Sequence, residues 1–468
     1  MAVLTALTLS AAEDATAGAW RVLKEALRVR GPSSVIALEL LGTIDDPTSR
    51  ALLDEALKSK DAAWHAAAGL TPPLCIHYLA DLRRAARDPN ADYSVPLSAG
   101  INTAFLAAIA RAGTSEAAQA LAEIADEAGF PTAGYVLPQL DSMGPVAEPQ
   151  LIRLARSGQS PSVRAASIGA LRRMKTAGAL DAFRAGLHDS DYSVRRIAAL
   201  ALASLGNDEG SRQLEATAND ADVNFRNAAL AALAALGHAD AFDKLKALLA
   251  SSDEKTRYGA VSAIAATGSP RLKAFAYQMK LDRQPAFAIM LADKLLDPKD
   301  PRDKTVLQEL MTTGEERSRV LAAEHLLGTT SAGPAESVIK RALTSPDWTM
   351  RVFALEVASR HHQLRPELAN RLSDSDPRVQ AAALSAIAEL HQKDRFKDVT
   401  SYLTNEEAPS VSLAAARTLV ALDPAAAKGV FEKVLKSRAE EALSIWTSYI
   451  RIHSAAMLLA IEARSQPR

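Results

Sequence analysis

Nine positions of this chain line up at a nearly constant interval. Val163, Val194, Phe225, Thr256, Phe287 and Ser318 are each 31 residues apart, and Met350, Val379 and Val411 follow at steps of 32, 29 and 32. Self-similarity at a period of 20–50 residues means a stack of repeated units, each too small to bury its own apolar face. Four residues beyond each register position stand Ser167, Ala198, Ala229, Ala260, Leu291, Ala322, Ala354, Ala383 and Ala415. Eight beyond stand Leu171, Leu202, Leu233, Ile264, Leu295, Leu326, Ala358, Ile387 and Leu419. Positions 0, 4 and 8 share one side of a helix. The small column lets neighbouring backbones approach, and the large column fills the space to the next layer.

Charged residues repeat as well. Three residues before the register stand Asp191, Asp222, Asp253, Asp347 and Asp376, with Glu315 in the same slot. An acid there can accept from the free N–H groups of a helix start. One residue after it stand Arg164, Arg195, Arg226, Arg257, Arg319 and Arg351. Asp191 and Arg195, Asp222 and Arg226, and Asp253 and Arg257 are spaced for acid-first helical ion pairs. A residue repeated in every layer serves the layer, so these six are expected to form a structural ladder. Gly206, Gly237 and Gly268 sit where a left-handed residue ends the helix.

The pattern D-x-x-V-R-x-x-A-x-x-x-L-x-x-L-G, clearest in Asp191–Gly206, resembles HEAT repeats. The short period is most similar to the HEAT-like repeats of the phycobilisome-lyase type. The resemblance is clear over about Ser160–Leu422 and looser towards both ends. It implies an all-α fold: a right-handed α-α superhelix, a HEAT-like solenoid of about fourteen helix pairs. Residues 1–19 are expected to be a tail or signal remnant, and 20–144 irregular repeats. Residues 145–423 are expected to be regular repeats, and 424–468 a last repeat with a capping helix, Glu440–Arg464. Thr71-Pro72-Pro73 breaks the rhythm near the start, and Leu74–Arg87 reads as one helix. Gly129–Met143 carries Pro131, Gly134 and Pro138, so a short or kinked helix is expected.

Composition narrows the function. There are 54 basic and 55 acidic residues, a net charge of −1, so no global field draws the chain to nucleic acid or anionic membrane. The single cysteine, Cys75, excludes an internal disulfide and a cysteine-cluster metal site. No apolar run reaches transmembrane length. Met1–Ala12 is apolar and then Ala-rich, like the end of a secretory signal without its basic region. This favours an exported or periplasmic protein over a cytoplasmic one.

Catalytic motifs are missing: there is no Gly-rich phosphate loop, G-x-S-x-G, H-E-x-x-H or C-x-x-C. No histidine precedes a glutamate, so the His-Glu pairs of the HEAT-like deoxyhypusine hydroxylases are lacking. His361 and His362 point about 100° apart on a helix and cannot easily share an ion. No metal and no cofactor is expected. Six residues beyond the register, Asp293, Glu324 and Glu356 fall on consecutive repeats, while Arg172, Arg173 and Arg196 lie on earlier ones. They predict a concave groove, basic near one end and acidic further along. The reading is a non-enzymatic scaffold that holds a protein or peptide, with a basic surface favoured on the partner. A phycobilin-lyase-like, chromophore-handling enzyme is the alternative. The aromatic content of 5% argues against a large flat chromophore site, and a HEAT-like DNA glycosylase ranks below both because the charge is balanced.

Overall fold

Five of the repeats build the same local start. The aspartate before the helix accepts from its first free N–H groups: Asp191 from Ser193 and Val194, Asp222 from Asn224 and Phe225, and Asp253 from Thr256. Asp347 and Asp376 cap their helices in the same way. Glu315 makes no such bond, since its extra methylene carries the carboxylate past the N–H groups that an aspartate meets. At the far end Gly206, Gly237 and Gly268 all have positive φ, at 76°, 106° and 64°, which glycine adopts without strain. The two apolar columns lie inside: all eighteen of their members are buried.

The computed structural model describes residues 15–29, 31–59, 62–87, 96–127, 129–438 and 449–465. Among these there are 29 α-helices, five short 3₁₀ turns and no strand. The protein is an all-helical solenoid. The described residues of Met1–Ala85, Gly100–Ala112 and Ile339–Arg468 form one compact unit, and those of Ala86–Ala99 and Gly113–Val338 form another.

The second of these units holds six of the nine register positions, Val163 to Ser318. Helices Pro161–Met174, Tyr192–Ser204, Val223–Leu236, Glu254–Ala266, Pro285–Leu295 and Glu316–Leu326 pack side by side in sequence order. Each is backed by a companion, such as Leu180–Gly186 or Ala239–Leu249. Of the short or kinked helix expected here, the short form is not seen: helix Gly129–Ser142 runs 14 residues with Pro138 inside it. After Leu295 the glycine stop is replaced by an extended turn that is fastened from below. Fully buried Asp303 accepts from Lys273 Nζ at 2.5 Å, from the Asp297 N–H at 2.8 Å and, more closely still, from the Tyr277 hydroxyl.

The other unit joins early and late parts of the chain. Helix Tyr449–Ser465 packs on the late helices Pro409–Leu422 and Pro424–Ser437, and equally on the first two, Ala15–Arg28 and Pro32–Leu41. All thirteen residues from Tyr449 to Ile461 are buried. The expected cap does cover the last helices, and it also packs on the first two, so it is a central helix of this unit that joins both ends of the described chain. Residues 440–448 of the expected helix, with Ile445 and Trp446, lie outside the described residues. So do Met1–Ala12. His453 sits in this core, its Nδ1 3.4 Å from the Ser412 hydroxyl, and burial with nearby Arg417 pushes its pKa down to about 3. It is neutral at every physiological pH. The expected helix over Leu74–Arg87 is interrupted at Tyr78, whose hydroxyl donates to the Arg50 carbonyl at 2.9 Å.

Candidate functional site

The arginine column turns back onto the chain that precedes it. Arg195 Nη1 donates to the carbonyls of Asp189 and Ser190 at 2.7 and 2.8 Å. Arg257 does the same to Ser251 and Ser252, and Arg351 to Ser345 and Pro346. These are carbonyls of the turn that follows the companion helix, which have no helical hydrogen-bond partner. In two layers the guanidinium also grips the aspartate five residues before the next register, while in the layer between Arg195 and Phe225 the aspartate in that slot, Asp220, is held by Arg196 instead. Arg164 holds Asp189 at 2.6 and 2.9 Å, and Arg351 holds Asp374 at 2.9 and 2.8 Å. The layer-to-layer acid is therefore the one five before the register. The one three before, expected to pair with arginine inside its own helix, spends its carboxylate on the cap. Arg226 has only a 3.4 Å bond to the Asp220 carbonyl, and the next repeat offers it Ser251.

The residues expected to line a groove fare differently. Arg196 is committed: its Nη1 donates to Asp220 at 3.0 Å and its guanidinium lies 3.4 Å over the Phe225 ring. Arg173 is exposed and bridged to Asp141 at 2.8 Å. Arg172 is half-buried, and desolvation together with its neighbour Arg173 pushes its pKa down. Glu324 is half-buried and Glu356 exposed. Glu356 belongs to the unit of early and late repeats, while Glu324 belongs to the regular one. The Asp293 side chain lies outside what the structure describes. The column six beyond the register is not uniformly a surface, because Leu200 and Ala231 are buried in it.

Sequence reasoning missed an apolar strip on the regular unit. Tyr192, Val223 and Tyr258 are 38%, 45% and 51% exposed and fall on three consecutive repeat helices. Tyr192 and Val223 open their helices, and Tyr258 lies one turn further in. Between the first two, the Tyr192 hydroxyl and Arg196 share Asp220 Oδ2, and Arg196 stands 5.7 Å from the Tyr192 ring. The signal was present as large apolar residues at or near helix starts, where caps or polar residues are the norm. Among the described residues, no group of His, Cys, Asp or Glu is arranged to hold a metal, and no helix is long and apolar enough to cross a membrane. Cys75 is buried, and burial pushes its thiol up to about 11.

Stacked helix pairs with internal caps and layer-to-layer bridges define a helical-repeat protein. The HEAT-repeat family model matches residues 148–234, 211–287 and 365–446, and over these stretches the chain carries HEAT repeats. No relative was found among curated proteins. Among solved structures it is similar to human deoxyhypusine hydroxylase in complex with glycerol (15% identity, 63% of this chain and 99% of that one, TM-score 0.24). It is similar to the CpcE and CpcF complex of phycocyanin lyase from Nostoc sp. PCC7120 (19%, 59% and 94%, TM-score 0.22). It is also similar to importin beta (12%, 99% and 65%, TM-score 0.29).

Proposed function

We propose that the protein is a non-enzymatic scaffold that binds a protein or peptide partner along its repeat layers. The exposed strip of Tyr192, Val223 and Tyr258 carries this reading. Large apolar side chains exposed on three consecutive layers are the kind of surface that marks a contact site, and tyrosine and arginine are enriched at protein interfaces. Tyr192 is held by Arg196 and Asp220 before a partner arrives, which lowers the entropy cost of binding there. The remaining polar chemistry of the layers goes into caps and bridges. Asp293, Glu324 and Glu356 are proposed as the acidic residues that speed the approach of a basic partner.

A photo-crosslinking residue at Tyr258 tests the reading, with Lys246 on a companion helix as control. A partner should be trapped at Tyr258 and not at Lys246, and the triple change Tyr192→Ala, Val223→Ala, Tyr258→Ala should weaken it at least tenfold. Equal trapping at both positions would remove the strip from the interface. Combining Asp293→Asn, Glu324→Gln and Glu356→Gln should slow association at low salt, with the difference fading as salt rises.

A further inference from the structure

A cleft of 880 Å³ opens in the unit of early and late repeats. Pro72, Pro73 and Ile76 line one side, and Ala460 and Ala463 of the last helix line the other. Ile76 is 51% exposed, so a large aliphatic side chain faces solvent inside a concavity. The walls are fixed. The Thr71 N–H and hydroxyl both donate to the Gly42 carbonyl, at 2.9 and 3.1 Å. A Cβ on Gly42 would collide with the Gly69 backbone, and one on Gly69 with the Glu39 backbone. Arg111 clamps the carbonyls of Ala68 and Leu70 at 2.9 and 2.6 Å. A concave, mostly apolar and preformed site with a few polar groups at its edge is the usual form of a ligand pocket.

The charges at its edge are unequally committed. Asp45 is bridged to Arg50 at 2.7 Å, and Asp46 spends its carboxylate on the Ser49 N–H at 2.7 Å. Glu462, close in sequence to Arg464, is taken by Lys428 at 2.5 Å. Arg464 lines the cleft, is exposed, and has no acidic partner among the described residues. His77 lines it as well and is also exposed. Arg464 is thus a cation at this edge without an ion-pair partner among the described residues, and it stands beside an apolar floor.

We infer that this cleft binds a short extended segment of a partner protein that carries an apolar side chain next to a carboxylate. The apolar side chain seats over Ile76 and the prolines, and the carboxylate pairs with Arg464. The site is separate from the tyrosine strip and stands or falls independently of it. Most of the affinity comes from the apolar anchor, because an exposed ion pair contributes only a few-fold.

The test presents the full chain with an array of immobilised hexapeptides. Each joins Leu, Ile or Phe to Asp or Glu, and matched sets replace the acid by Asn or Gln, or by Lys. Binding should follow acid, then amide, then Lys, with the acid set about threefold ahead of the amide set. Ile76→Asp and the milder Ile76→Ser should each weaken the best peptide, the first at least tenfold. Arg464→Glu should reverse the preference towards Lys. Absence of any preference among the three sets would overturn the inference, as would unchanged binding by both Ile76 variants. Sedimentation supplies a further arm: if Ile76→Asp alters the protein's own monomer–dimer balance, the occupant is a second copy and the inference is wrong.

Discussion

Arg351→Ala should cost far more stability than Arg226→Ala, although the two arginines occupy the same repeat position. Arg351 is 9% exposed. It makes two charge-assisted bonds to Asp374, at 2.8 and 2.9 Å, and two more to the carbonyls of Ser345 and Pro346. Its removal strands the Asp374 carboxylate, whose side chain is 5% exposed. Losing one partner of a buried ion pair costs about 3–5 kcal/mol. The low end applies, because Asp374 keeps the Asp376 N–H at 3.0 Å and Arg371 at 3.9 Å. Arg226 loses one bond at 3.4 Å and strands no carboxylate, which is worth about 1 kcal/mol or less. The gap of about 2 kcal/mol is roughly a thirtyfold difference in local opening. Repeat stacks open piecemeal, with stability summed from neighbouring interfaces, so native-state hydrogen exchange is the right assay. It should be read on the amides of Trp348–Ser359 and Pro377–Glu389 for Arg351→Ala, and of Val223–Leu236 and Glu254–Ala266 for Arg226→Ala. Equal loss of protection in the two variants would refute the role assigned to the acid five before the register.

The same bridge sets a pH dependence. Burial alone would raise the Asp374 carboxyl, but the bonds from Arg351 and the Asp376 N–H outweigh it and hold its pKa below the ordinary value. A depressed folded pKa gives stability that is present above the unfolded value of about 3.9 and lost as pH falls through the folded one. Protection of Pro377–Glu389 should therefore be level from about pH 7 to 5 and fall below about pH 4. Asp374→Asn should flatten that fall. Leu233→Ala, at a site 4% exposed in the apolar column, should cost about 2–5 kcal/mol through lost burial and a residual cavity. Denaturation that separates it poorly from Arg226→Ala would contradict the assignment of the two columns.

The helix stack was legible because nine copies of one pattern vote together. Ala198, Ala229 and Ala260 are ordinary residues singly, but at a fixed interval they specify a face, and each is buried. The second acid column was harder to read. Asp189 and Asp374 sit in turns outside the helix, and their partners come from the preceding repeat, so helical spacing says nothing about them. The groove residues were judged by offset alone. Offset fixes direction on one helix, yet neighbouring layers decide whether that direction meets solvent, as Leu200 and Ala231 show. Asp303 gave no signal, since a lone aspartate in a helical first turn reads as exposed. From sequence, Tyr449–Ser465 reads only as a cap on the last repeat, because nothing in a repeat period says that helices at opposite ends of a chain meet; Arg451, His453 and Ser454 are all buried there.

That central helix sets a clock on synthesis. In an ordinary repeat array each unit finds its neighbour within a few dozen residues and can settle as it emerges. Here Ala15 and Tyr449 open helices that pack on each other, 434 residues apart. At about 5–20 residues per second, the first helix waits on the order of 20–90 s for its companion. For that interval Val22, Leu23 and Ala26, which are buried in the finished protein, lack that cover. A chaperone that holds apolar helices would find its target in the earliest part of this chain, long after the middle repeats have closed.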